Sequence, residues 1–219
     1  MKNLVPNCPL CLNQASLEYS KDKFRTYQIC SNCGLIYVPR DQLVTAQVEK
    51  ERYDTHKNDE TDPLYHRYLS QIVDSILKKV IPGQRGLDFG CGRTKLLADI
   101  FKDNHFTVES YDLYYFPDLK IWQEKFDFII LSEVIEHLRE LREEMLKLRS
   151  LLSNGGKIFV KTKLHPNEKS DFDKWYYKRD YTHIQFFSPL SLEKMALDLS
   201  LGLPEAIGED LFCFTATSN

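Results

Sequence analysis

Arg85-Gly-Leu-Asp88-Phe-Gly90-Cys-Gly92-Arg-Thr94-Lys-Leu-Leu97, followed after a helical pattern by Val108-Glu-Ser-Tyr-Asp112, is the stretch that decides the fold. Residues 87–89 read as a short buried strand. Gly90-Cys91-Gly92 is a turn at which backbone approaches a ligand closely, because glycine carries no Cβ. Residues 94–101, apolar at 96, 97, 100 and 101, have helical periodicity. A second strand over 106–111 ends at Asp112, about twenty residues past the glycines. Such a unit takes a nucleoside: the helix N-terminus faces the ligand and the acid accepts from ribose hydroxyls. The glycine spacing leaves two alternatives open, a dinucleotide-binding domain and a sheet of this kind with no ligand. Against the first, a dinucleotide fingerprint wants a third glycine where Lys95 stands.

Two further features sharpen the reading. Asp88 lies two residues before Gly90, and Phe126-Asp127-Phe-Ile-Ile-Leu-Ser132-Glu133-Val-Ile-Glu136-His137-Leu lies downstream. In this order, Asp88-x-Gly90-x-Gly92, Asp112 and Phe126-Asp127-x-Ile resemble the class I S-adenosylmethionine-dependent methyltransferases, over residues 64–217. The resemblance implies an α/β, Rossmann-like sheet with helices on both faces. Seven strands are implied, or six if the segment after Asp112 lacks its strand. It also implies S-adenosylmethionine as cofactor, S-adenosylhomocysteine as product, and a donor site of Asp88, Phe89, Gly90, Cys91, Gly92, Tyr111, Asp112, Leu113, Ser132 and Glu133. Glycine is usual in that family where Thr94 stands here; the threonine is read as a helix cap.

Of the 219 residues, 42% are hydrophobic and 28% charged, which suits a soluble globular protein with one α/β domain and a small appendage. A net charge of −3 gives the whole chain no electrostatic footprint for nucleic acid. No apolar run approaches the roughly 18 residues of a membrane span. Met1-Lys-Asn-Leu-Val-Pro-Asn7 lacks the apolar core of a secretory leader, so the cytoplasm is the expected compartment. Cys8-Pro-Leu-Cys11 and Cys30-Ser-Asn-Cys33-Gly34 are two C-x2-C pairs with 18 residues between them. Two such turns complete a tetrahedron of thiolates around zinc, and four thiolates leave no open position for catalysis. With a hairpin over 17–29 and a third strand over 35–38, residues 1–40 are predicted to be a zinc ribbon. Two disulfides are the alternative, without a secretory context to support them. Residues 1–60 carry eight basic and eight acidic side chains, so the ribbon shows no basic patch. Cys91 and Cys213 stand alone and read as packing residues.

Residues 41–62 form a polar connector with a short helix near 42–52. Tyr53, His56 and Asn58 there are either a lid folded back on the pocket or part of a solvated linker. The methyltransferase domain is assigned to 63–219. Asp62 and Pro63 open a helix that runs to about residue 81. Residues 126–131 suit a central parallel strand. Ser132, Glu133 and His137 follow at its carboxyl end, where ligands of open sheets sit. A helix over 138–152 stopped by Asn154-Gly155-Gly156, a strand over 157–164, a helix over 190–199 opened by Ser188-Pro189, and an antiparallel pair (203–207, 211–217) complete the domain.

The loop Trp175-Tyr176-Tyr-Lys-Arg179-Asp180-Tyr-Thr-His183-Ile-Gln-Phe-Phe-Ser188 makes the resemblance more specific. Taken with the cysteine pairs, it is similar to a bacterial group of zinc-ribbon methyltransferases over nearly the full chain, which implies the reaction type and not the acceptor. Trp175, Tyr176, Arg179 and Asp180 are read as acceptor-binding. His183, with an unperturbed pKa near 6.5, is the first candidate base for a hydroxyl or acidic carbon; His137 and Glu133 are the second. A small-molecule acceptor is expected. Two other functions stay open. One is RNA methylation, since residues 157–183 hold seven Lys/Arg against four Asp/Glu. The other is donor binding without turnover, which Thr94 favours.

Overall fold

The computed structural model describes residues 7–55 and 60–217. In chain order the elements are β1 (Ser16–Lys21), β2 (Thr26–Cys30), β3 (Ile36–Tyr37), α1 (Ala46–Asp54), α2 (Pro63–Leu77), β4 (Arg85–Phe89), α3 (Leu96–Asp103), β5 (Thr107–Tyr111), β6 (Phe126–Ser132), α4 (Leu141–Leu151), β7 (Leu152–Lys161), α5 (Lys169–Lys174), β8 (Gln185–Phe186), α6 (Pro189–Asp198), β9 (Glu205–Gly208) and β10 (Leu211–Thr215).

Six strands form the main sheet, in the order β5-β4-β6-β7-β10-β9. β5, β4, β6 and β7 are parallel, and the β9–β10 hairpin closes the edge antiparallel. The central strand β6 is apolar on both faces. Phe126, Ile129 and Leu131 pack with Leu141, Met145 and Leu148 of α4 and with Leu192 and Met195 of α6. Phe128 and Ile130 pack with Leu69, Ile72, Val73 and Ile76 of α2 and with Leu97, Ile100 and Phe101 of α3. The sheet is thus covered on both sides, as parallel strands require. Gly86 of β4 has to be glycine, because a Cβ there would meet the Phe128 ring at 2.3 Å. The helix starts follow the local sequence. Asp62 accepts from Leu64 N at 2.8 Å with Pro63 in the first turn, and Ser188 and Ser191 form a reciprocal cap on α6.

The six-strand alternative holds, and the expectations at the glycines after α4 and at Thr94 are corrected. The sheet has six strands, because Asp112 folds the chain back: its Oδ1 accepts from Tyr114 N and Tyr115 N, and Asp112 bridges Phe116. A 3-10 turn at Leu119–Gln123 stands where another strand would run. Asn154-Gly155-Gly156 does not follow the end of a helix. α4 ends at Leu151 and β7 begins at Leu152, so the glycines lie within the strand, beside an irregularity in its pairing with β6; the strand then ends at Lys161. Thr94 caps nothing. α3 begins at Leu96 after Lys95, whose side chain makes no capping bond, and the buried Thr94 hydroxyl meets that of Tyr65.

The N-terminal hairpin β1–β2 and strand β3 make an antiparallel sheet, and β8 joins it through Ile36–Phe186 and Tyr37–Gln185 pairing. The segment before α6 therefore belongs to both sheets' surroundings. Cys8, Leu10, Cys33 and Leu35 pack in the same core as Phe187, Leu192 and Met195.

Candidate active site

The carboxyl ends of β4, β5 and β6 lie at one edge of the sheet, and a cavity of about 520 Å³ opens there. Asp88, Phe89, Gly90, Cys91, Gly92, Tyr111, Asp112, Leu113, Ser132 and Glu133 all line it. Gly90 has a φ of +79°, and a Cβ on it would lie 2.6 Å from Val134 Cγ2, so no other residue fits the turn. Gly90 N and Cys91 N donate to Tyr111 O at 2.7 and 3.1 Å, which ties the turn to the end of β5. Gly92 N donates to Asp112 Oδ2 at 3.0 Å, while Tyr114 N and Tyr115 N donate to its Oδ1 at 2.8 and 3.1 Å. A carboxylate offers about four lone-pair sites. Three are filled by the protein, so Asp112 keeps capacity for one further hydrogen bond. Asp88 lies buried under the turn; burial first, and Asp112 second, push its carboxyl up to about 7.

Glu133 forms the floor beyond the turn. It is a non-glycine residue in the left-handed region, with a φ of 54°, held by its N–H donating to Lys161 O at 2.9 Å. Such conformers concentrate where function requires them. The Tyr177 hydroxyl stands between Glu133 Oε2, at 2.9 Å, and Glu136 Oε1. Thr162 Oγ1 donates to Glu136 Oε2 at 3.0 Å. Glu136 is wholly buried; burial first, then Glu133, raise its carboxyl to about 8. His137 Nδ1 donates to Thr182 O at 2.9 Å and His183 Nδ1 to Tyr177 O at 2.7 Å, with ring centroids 4.7 Å apart. Both rings line the cavity. Burial, and then His137, pull His183 down to about 3, so its ring is neutral at pH 7. The value near 6.5 assumed from the sequence does not hold in this environment.

The connector supplies the roof: Ala46, Glu49 and Tyr53 of α1 line the cavity. Arg139 grips Glu49 Oε2 through Nε (3.0 Å) and Nη2 (2.7 Å), Arg52 grips Asp180 Oδ2 at 3.0 and 2.7 Å, and Tyr115 OH donates to Asp54 at 2.8 Å. The Tyr53 ring meets His137 edge-on at 5.4 Å. His56 and Asn58, the other lid candidates, lie outside the described residues. The four residues read as acceptor-binding do not line this cavity. Trp175 packs on Phe172, Tyr177 and Phe186. Tyr176 and Arg179 are exposed, and Asp180 takes Arg52 and the Thr182 hydroxyl.

Residues 61–200 match the family model described as a methyltransferase domain. The chain belongs to this family. It is a methyltransferase of the class I, S-adenosylmethionine-dependent type. No curated protein matches it. Among solved structures, 1,6-didemethyltoxoflavin-N1-methyltransferase of Burkholderia thailandensis, holding 1,6-didemethyltoxoflavin and S-adenosylhomocysteine, is similar over 91% of this chain and 98% of that one, at 14% identity and a TM-score of 0.53. An O-methyltransferase family protein of the same organism is similar over 78% of this chain and 63% of that one, at 14% identity and a TM-score of 0.50. The N-methyltransferase NodS of Bradyrhizobium japonicum, with S-adenosylhomocysteine, is similar over 78% and 98%, at 13% identity and a TM-score of 0.49. At these identities the likeness is one of fold.

In this methyltransferase the Sγ atoms of Cys8, Cys11, Cys30 and Cys33 all lie within 4.8 Å of one another, with Cys8–Cys33 at 3.6 Å and Cys11–Cys30 at 3.5 Å. Sulfurs about 2.3 Å from a tetrahedral zinc stand about 3.8 Å apart, so the set fits that ion. All six cysteines are free thiols in this structure. Sequence reasoning missed Glu49, Arg139 and Tyr177. The first two form a long-range ion pair. Tyr177 was hidden in an aromatic run, most of which packs as core.

Proposed function

We propose that this methyltransferase transfers the methyl group of S-adenosylmethionine to a small-molecule acceptor, and that its four clustered cysteines hold one structural zinc ion. The observation that carries the reading is the roofed cavity. The glycine turn and Asp112 form one end of it, Glu133, His137 and His183 the other, and α1 covers it. Its volume of about 520 Å³ is in the usual range of ligand pockets.

The donor supplies an already activated methyl group, so positioning and exclusion of water carry much of the rate. The Gly90–Gly92 backbone and Asp112 orient the nucleoside end. Glu133, its carboxylate steadied by the Tyr177 hydroxyl, takes the acceptor's proton at a carboxylate oxygen. The neutral His183 ring and the His137 ring beside it orient the acceptor, a change from the base role expected for His183. The roof argues against RNA as acceptor, and so does the fate of the local lysines. Lys163 pairs with Asp210, Lys169 with Asp173 and Lys178 with Asp22.

The test is calorimetry with S-adenosylhomocysteine, followed by labelled S-adenosylmethionine in a metabolite extract. Binding, with label transferred to the small-molecule fraction, is the expected result. Label found only in RNA, or no binding of the nucleoside, overturns the reading.

A further inference from the structure

We propose that Glu136, buried behind the cavity wall, and His137 and His183, which line its acceptor end, hold a divalent first-row metal ion separate from the cysteine cluster. One ligand atom from each of the three residues lies within 4.8 Å of the others. Three ligands about 2.1 Å from an ion stand about 3.0–3.6 Å apart, so shifts of up to about an ångström per side chain assemble the set.

The histidines are held as metal ligands are held. Each Nδ1–H is anchored on a backbone carbonyl, His137 on Thr182 O and His183 on Tyr177 O. That bond fixes the tautomer, places the lone pair on Nε2 and sets the ring's orientation, which is the usual outer support of a ligating imidazole. Thr182 lies one residue before His183, and Tyr177 lies in the turn before it, so one short segment orients both rings.

The charges point the same way. Glu133 and Glu136 share the single hydroxyl of Tyr177, and the cations nearest in sequence are engaged elsewhere, Arg139 by Glu49 and Lys161 by Glu209 O. Two carboxylates beside two imidazoles make a donor-rich wall. Two imidazole nitrogens and one carboxylate oxygen suit manganese, iron, cobalt or zinc as divalent ions, with further positions open to an exogenous ligand. The left-handed backbone at Glu133 brings its carboxylate to the same wall without making it part of the set.

The role of the site, though not its existence, rests on the methyl-transfer reading. A cation there favours the ionised form of an acceptor hydroxyl. The hydroxyl's O–H bond breaks and its proton passes to Glu133. The oxygen forms the new bond to the methyl carbon, and the carbon–sulfur bond breaks with its electron pair going to sulfur. The acceptor class is therefore a small molecule with a hydroxyl, best one flanked by a second oxygen that can chelate.

The test uses the full chain with Mn²⁺ as probe, an ion that competes poorly for the thiolate cluster. Mn²⁺ is expected to broaden the amide signals of residues 132–137 and 182–184 and to spare residues 8–33, a measurement that needs no variant. His137→Gln and His183→Gln are each expected to weaken Mn²⁺ binding by at least roughly tenfold, read from the free-ion electron paramagnetic resonance signal. Broadening confined to the cysteine turns or to exposed carboxylates overturns the proposal. So do glutamine variants that bind Mn²⁺ as the parent does. Mn²⁺ binding at this wall in a protein that fails to bind S-adenosylhomocysteine supports the site and counts against the methyl-transfer reading alone.

Discussion

Asp112 shows how one carboxylate can organise the fold while lining the cavity. It turns the chain back after β5, closes the glycine turn through Gly92 N, and keeps one lone-pair site toward the cavity. A hydrogen bond to a charged group is worth ~1.5–3 kcal/mol, and ~1.4 kcal/mol is a decade in affinity. Asp112→Ala is therefore expected to weaken S-adenosylhomocysteine binding more than tenfold by calorimetry; unchanged affinity would take Asp112 out of the site. Asp88 gives a pH signature. Its folded pKa, about 7, is raised above the ordinary 3.8 by burial and by Asp112. The protonated form is thus favoured by folding, and the stability it contributes is present at low pH and lost as pH rises from about 4 to about 7. The slope has a ceiling of ~1.4 kcal/mol per pH unit. In the ligand-free protein, Asp88→Asn should lack that loss, so the variant's melting temperature gains on the parent's between pH 5 and 7. Parallel curves for the two proteins would show that Asp88 is ionised at pH 5. The sequence made both aspartates visible, because glycine spacing and a following acid are local. It could not show the altered basicity of His183, which comes from burial and from His137, brought beside it by the fold.

Among the elements, α1 is the one whose place was least legible. Its residues are polar, and Ala46–Asp54 reads equally well as a solvated connector or a cover. What decides is long-range pairing: Arg139 on Glu49, Arg52 on Asp180 and Tyr115 on Asp54. None of these partners lies near α1 in the chain, so no periodicity announces them. By contrast, α2, α3, β4 and β6 were legible within a few residues, because their apolar spacing is dictated by the sheet faces they cover. The end of α4 was misread for a related reason. Gly-Gly after a helix ordinarily signals a cap, but pairing with β6 extends β7 back to Leu152 and takes the glycines into the strand. Glu49 is buried while Arg139 is about one-third exposed, so loss of the arginine leaves a shielded carboxylate without its cation. Arg139→Ala is expected to speed hydrogen exchange in α1 by roughly tenfold, the effect of one charged hydrogen bond. S-adenosylhomocysteine should slow that exchange in the parent protein. An α1 that exchanges equally in parent and variant, with and without the nucleoside, would mean that it does not act as a cover.

On the scale of the whole molecule, the cysteine-bearing segment and the sheet domain are joined more closely than the pattern of residues 1–40 suggested. β3 pairs with β8, so the small sheet includes residues that directly follow His183. Arg25 of the hairpin donates to the carbonyls of Lys178, Asp180 and Tyr181, the loop that carries Tyr177 and His183. Cys8, Leu10, Cys33 and Leu35 pack in one core with α4 and α6. The consequence concerns zinc. Binding of a structural zinc by four thiolates is worth roughly 10–16 kcal/mol of folding free energy, comparable with the ~5–15 kcal/mol that holds an entire domain together. On the proposed zinc reading, removing one of the four cysteines endangers whatever depends on this segment's shape, and that includes β8 and the loop before it. Cys30→Ser is expected to lose the bound zinc, found as one ion per parent chain by metal analysis. It should also lower the melting temperature, with parent and variant each unfolding in a single transition, and reduce S-adenosylhomocysteine affinity through the loosened 176–187 segment. A variant that binds no zinc yet keeps the parent's donor affinity and shows two separate transitions would show that the ribbon folds and fails independently, as its sequence boundaries suggested. Parent protein purified without chelator and free of zinc would remove the metal from the account altogether.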